Sequence, residues 1–175
     1  MPGPSKRFRW YQGLAFALIV TAVVILDQWT KQWIRTHLPV GGSLPETGCL
    51  TLVHVQNTGA AFGLFPDQTV LLSIVAVAGI VIVILYFYYL ANLGLAGVVA
   101  LSLIFSGALG NQIDRFQFGH VTDFIYVRLW GNVYWPAFNV ADSAITVGAI
   151  TLAVVALIQL KKEDDAKSGA TDKGA

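Results

Sequence analysis

Charge is what this chain has least of. Asp, Glu, Lys and Arg make up 12% of its 175 residues, about half the ~25% of an ordinary soluble domain. Hydrophobic residues make up 55%, more than a water-soluble protein of this size can hide. A net charge of +1 offers no basic patch, which excludes a nucleic-acid partner. The single cysteine, Cys49, allows no internal disulfide and carries no information about redox compartment. His37, His54 and His120 have no metal-ligand spacing and no second cysteine to support them, so neither a metal nor a cofactor is expected. There is no P-loop, no HExxH and no serine–histidine arrangement. The length allows one domain, residues 1–175.

What is present in quantity is long apolar sequence. Four stretches, 11–29, 70–90, 94–110 and 138–160, approach or exceed the ~20 residues that cross a bilayer core. Aromatic residues flank the first, and Tyr86-Phe87-Tyr88-Tyr89 closes the second, as expected at headgroup level. Helices are the expected form, because an open strand leaves backbone groups unpaired in lipid. The expected fold is therefore an all-α polytopic membrane protein with four transmembrane helices and a small β-platform outside them. Lys6, Arg7 and Arg9 before the first stretch also fit a signal peptide. No Ala-x-Ala site follows, and Asp27-Gln28-Trp29-Thr30-Lys31 comes instead, so an uncleaved helix is expected. Lys6, Arg7, Arg9, Lys161, Lys162, Lys167 and Lys173 lie towards the two ends, against Lys31, Arg35, Arg115 and Arg128 in the two large loops. That bias places both termini in the cytoplasm. Residues 161–175, small, polar and charged, are expected to be a disordered tail.

The loops are too rich to be connectors. Leu50 to Gln56 has strand composition, and Asn57-Thr58-Gly59 onwards is turn-like. Val121 to Trp130 and Val133 to Trp135 flank Gly131-Asn132 and predict a hairpin. Together these runs predict the β-platform on the outer face, with His54 and His120 as polar members of it.

Following each span by direction brings Asp27, Asn57, Asn111, Asp114, Arg115, Asp123 and Asp142 to a similar depth at the outer interface. Asp142 is the most telling, since an ionisable residue in a membrane span is by default a functional candidate that needs a partner. Asp123 is the best partner. Two neighbouring carboxylates share a proton. The ionised one can take a proton from water that attacks a carbonyl, and the protonated one can polarise that carbonyl and supply the leaving group. Each residue also has a purely structural alternative. Asp27 and Lys31 are spaced i, i+4, as in a helix-surface ion pair. Asp114 and Arg115 can orient loop backbone. Asn139 can cap the fourth helix, and Asp142 can answer its dipole. A proton-conducting transporter would instead need ionisable groups at mid-membrane in several helices. A membrane adaptor packing through Gly94, Gly97, Gly107 and Gly110 would need no acid pair.

Five segments occur in order: Asp27-Gln28-x-x-Lys31, Asn57-x-Gly59-Ala60-Ala61-Phe62, Gly107-x-x-Gly110-Asn111-x-x-Asp114-Arg115, Val121-x-Asp123-Phe124 and Phe138-Asn139-x-Ala141-Asp142. Together they resemble lipoprotein signal peptidase, the bacterial signal peptidase II. The resemblance implies an aspartyl endopeptidase of the bacterial inner membrane that cleaves diacylglyceryl-modified prolipoproteins just before the lipidated cysteine. It implies Asp123 and Asp142 as the catalytic pair. Asn57, Asn111, Arg115 and Asn139 would line the substrate pocket or orient the acids, with Asp27, Lys31 and Asp114 in support. It further implies a periplasmic β-cradle, an active site near the periplasmic face, contact with membrane lipid, and inhibition by globomycin-type lipopeptides. A monomer is expected. Gly48-Cys49 resembles the end of a lipobox, but Glu46 stands where an aliphatic residue belongs, so Cys49 reads as an ordinary loop cysteine.

Overall fold

Polarity is inverted here relative to a water-soluble protein. The computed structural model describes residues 10–45, 48–59, 68–89, 94–131 and 133–171. Among them, Asp27, Lys31, Asp114, Asp123 and Asn139 are buried, whereas Leu18, Ile25, Ile74, Ile82 and Leu157 stand exposed on helix surfaces. Lipid as solvent accounts for both. Acyl tails accept apolar side chains and give polar groups no partner, so the latter turn inward.

The helices are α1 (Trp10–His37), α2 (Thr69–Tyr89), α3 (Gly94–Phe118) and α4 (Val140–Thr171). Among the described residues, α1, α3 and Val140–Lys162 of α4 are long and apolar enough to cross a membrane, and Thr69–Leu85 of α2 is a shorter apolar helix. Half of the apolar window of α3 is buried, against 6% in α1 and 11% in α4, which makes α3 the central element. It packs against each of the other three. Towards the start of α1, Leu101 and Phe105 of α3 meet Phe16 of α1, Val83 of α2 and Leu152 of α4.

Gly107 lets α3 and α4 touch. A Cβ there would overlap the Ala141 carbonyl and come within 2.7 Å of the Ile145 side chain. Gly107→Val is therefore expected to destabilise the bundle by at least ~1–3 kcal/mol, the usual cost of overpacking. Thermal unfolding in detergent checks this, with Gly79→Val as the control, because nothing lies within 4 Å of a Cβ at Gly79. Equal melting of the two variants would contradict the close approach.

The strands β1 (Ser43–Leu44), β2 (Leu50–Asn57), β3 (Val121–Trp130) and β4 (Val133–Phe138) form one antiparallel sheet in the order β1-β2-β3-β4. The predicted hairpin is β3–β4, turning at Gly131 with φ +51°. The long-range pairing of β2 with β3 sets Val55 opposite Asp123 and Asn57 opposite Val121. His54 is buried in β2, its Nδ1 2.8 Å from the Leu38 carbonyl oxygen.

Several boundaries differ from the sequence expectation. The first span, 11–29, continues as helix to His37, and the third, 94–110, continues to Phe118. Asn111, Asp114 and Arg115 are thus helical residues, not loop residues. Polarity rises there because that helical turn faces other polar groups, not because the helix ends. The fourth span begins at Val140, and Phe138 belongs to β4, paired with Ile125. The expected disordered tail is helical through Thr171, in a segment rich in the helix formers Ala, Lys, Glu and Gln. Residues 172–175, Ala60 to Phe62 of the second motif, and Leu90 at the end of the second span lie outside the described residues.

Candidate active site

The site begins with one face of α1. Asp27, Lys31 and Arg35 recur at i, i+4 and i+8 and face the last turns of α3. The Lys31 ammonium has three donors and three partners: Asp27 Oδ2 at 2.9 Å, Asp114 Oδ2 at 3.3 Å and Asn111 Oδ1 at 2.9 Å. Arg35 reaches Asp114 Oδ1 at 3.5 Å and donates to Thr122 Oγ1 at 3.0 Å. Two cations and two carboxylates balance, as burial requires. The Asp27–Lys31 pair expected on a helix surface is therefore fully buried, because α3 covers that face of α1.

Asp27 and Asp114 each use a second contact to place another element. Asp27 Oδ1 accepts from the backbone N–H of Ala141 in the first turn of α4, at 2.9 Å. Asp114 Oδ2 accepts from the backbone N–H of Thr122 at 2.9 Å, which ties the start of β3 to the bundle next to Asp123.

Asn139 caps α4 and joins both remaining acids. Its Oδ1 accepts from the Asp142 N–H at 2.9 Å, and Asp142 Oδ2 accepts from the Asn139 N–H at 3.2 Å. This is a reciprocal capping box with Asp in the position usually held by Glu or Gln. Asn139 Nδ2 donates to Asp123 Oδ1 at 2.7 Å. Asn57 Nδ2 donates to Asp123 Oδ2 at 2.9 Å, and Asn111 Nδ2 donates to Asp142 Oδ1 at 2.8 Å. Every carboxylate oxygen of the pair thus has a donor. Burial pushes the Asp123 carboxyl up to about 7, with the Asp142 charge adding to it and the bonds from Asn57 and Asn139 opposing it.

Both acids border a cavity of about 650 Å³. Asn57, Asn111 and Arg115 line it with them, while Ala108 of α3, Ile145 and Val147 of α4 and Trp135 and Phe138 of β4 supply apolar surface. Arg115 Nη2 lies 3.5 Å from the Gly59 carbonyl oxygen, and its buried Nε has no partner among the described residues.

The sequence from residue 19 to residue 158 matches the profile of the signal peptidase (SPase) II family. The chain belongs to the signal peptidase II family. It is 38% identical over 163 residues to a protein named lipoprotein signal peptidase from Dehalococcoides mccartyi, covering 91% of this chain and 99% of that one. It is 43% identical over 156 residues to another of that name from Cupriavidus necator, covering 85% of each. A solved structure of a bacterial membrane enzyme superposes with a TM-score of 0.74 at 37% identity, over 82% of this chain and 87% of that one. A second gives 0.72 at 36% identity. Membership in the signal peptidase II family makes the chain a membrane peptidase.

Asp27, Lys31, Asn57, Asn111, Asp114, Asp123, Asn139 and Asp142 form one hydrogen-bonded and ion-paired constellation, and Arg115 borders its cavity. Arg35 and Thr122 belong to the site although no motif residue marks them, and Gln28 stands in the first motif without an assigned role. Gln28 Nε2 bridges Asp27, Asp114 and the Gly110 carbonyl at 3.1–3.2 Å. The i+4 spacing from Lys31 was the available signal for Arg35. Nothing local marks Thr122, whose contribution is a backbone N–H and a hydroxyl.

Proposed function

We propose that this chain removes the signal peptide from diacylglyceryl-modified prolipoproteins by cutting just before the lipidated cysteine, with Asp123 and Asp142 as its catalytic pair. The observation that carries this reading is one cavity lined both by the two carboxylates and by apolar side chains of α3, α4 and β4, such as Ala108, Ile145 and Trp135. A peptide carrying acyl chains needs those two surfaces side by side. The names of the relatives support the substrate class.

The environments of the acids support distinct roles. Asp123 sits on a strand and keeps its proton up to about 7, so it serves as the acid. Asp142 has as many N–H donors as Asp123 but sits in the first turn of a helix, where the N-terminal dipole also favours a carboxylate, so it serves as the base. Asp142 takes a proton from water as the water oxygen bonds to the scissile carbonyl carbon. Asp123 hydrogen-bonds the carbonyl oxygen, then gives its proton to the leaving nitrogen as the C–N bond breaks. The pair ends with one shared proton, as it began. Arg115 and Asn57 position the polar part of the peptide.

The four apolar stretches support four spans, the Lys and Arg bias supports cytoplasmic termini with the cavity towards the periplasmic face, and the family supports the bacterial inner membrane. A globomycin-type lipopeptide fits the same combination of polar groups and apolar surface, and the protein acts as a monomer. The test is purified protein in detergent with a lipidated prolipoprotein, followed by gel shift. No release of signal peptide would overturn the reading. The pH profile adds a second check. A carboxyl raised from 3.8 to about 7 stays protonated between those values and ionises above the upper one. Cleavage is therefore expected to fall as pH rises through about 7, and kcat/KM flat to pH 9 would remove Asp123 as the acid.

A further inference from the structure

We infer that Lys31 is a positioning residue for Asp142, acting through the side-chain amide of Asn111. This rests on the reading of Asp142 as the base. An asparagine amide can present oxygen or nitrogen to a neighbour, and only its surroundings decide which. Lys31 is donor-only and sits 2.9 Å from Asn111 Oδ1. The oxygen must therefore face α1, which turns the amide nitrogen towards Asp142 Oδ1 at 2.8 Å. The other donor to Asn111 Oδ1 is Asn139 Nδ2 at 3.1 Å. That nitrogen has two hydrogens for three acceptors, since Thr122 O at 3.4 Å and Asp123 Oδ1 at 2.7 Å also claim it. Lys31 is thus the firm hold on the amide. Without it the amide is free to turn its oxygen on the Asp142 carboxylate. The charged groups acting on Asp142 are Asp27 and Lys31 from α1, Arg115 from α3 and Asp123 from β3.

A merely structural lysine would neutralise the buried Asp27 and Asp114, and the test separates the two roles. Lys31→Met alone leaves a buried excess negative charge and risks misfolding. Lys31→Met combined with Asp114→Asn restores the balance, and Asn at 114 still accepts from the Thr122 N–H. In this double variant, melting in detergent is expected to lie above that of Lys31→Met alone, although the NH₂ introduced at position 114 then faces Gln28 and Arg35. The acid limb of kcat/KM, which reports the free enzyme's base, is expected to move up by about one pH unit, the order of one charged hydrogen bond. Adding Asn111→Ala should leave the limb where Asn111→Ala alone puts it. A parental acid limb in the well-folded double variant would overturn the inference. So would additive shifts, which would mean that Lys31 acts without Asn111. Asp142→Asn, assayed alongside, separates this from failure of the function itself. If that variant is inactive while the double variant keeps the parental limb, only the role of Lys31 falls.

Discussion

Asp123→Asn and Asp142→Asn are each expected to lower prolipoprotein cleavage by roughly 10⁴-fold or more, because members of a catalytic unit are not additive. Each should also lower stability. At Asp142 the amide oxygen can keep accepting from the Asn139 N–H, but its NH₂ then meets the Asn111 NH₂, whose orientation Lys31 holds. At Asp123 both oxygens face amide donors, from Asn57 and Asn139. Asn57 cannot turn to compensate, because its Oδ1 accepts from the Gly59 N–H at 2.9 Å. An Asn at either position must therefore set NH₂ against NH₂, and both variants should melt below the parent. Gel-shift rates and thermal unfolding on the same preparations measure both effects. Near-parental cleavage by either variant would dismantle the proposed pair.

An unlipidated prolipoprotein is expected to be cleaved at least ~10²-fold more slowly than its diacylglyceryl form, the scale of loss that misplacement alone produces. The acyl chains gain little by leaving bilayer for the apolar wall, since both are hydrocarbon. What they supply is depth. Asp142 is the third residue of α4, so a peptide whose chains stay among the helices meets the carboxylates at its lipid-proximal end. The comparison is kcat/KM for both substrates in one detergent. Equal values would mean that the acyl group plays no part in placing the scissile bond.

The sequence made the helices and the hairpin legible because apolar length and a Gly-Asn turn are local signals. It made the acids legible because a carboxylate in an apolar run is costly and therefore conspicuous. Helix ends were harder. Asn111 to Phe118 looks like loop by polarity, and only the ion pairs with α1 show why a polar helix turn is buried there. The β2–β3 pairing and the short β1 depend on contacts far apart in sequence, which composition does not report. Asn139 was foreseen as a cap, but not as the residue that joins both acids, since that requires β3 and α4 to be in place together.

Asp114 binds the bundle with one set of contacts and the Thr122 backbone with another. One acid comes from the sheet and the other from a helix, so the gap between them is a gauge of how the sheet sits on the bundle. That joint is a vulnerability. A wedge driven between β3 and α1, at Arg35 and Thr122, would open the gap and silence the site from behind, with the cavity left empty and neither carboxylate touched.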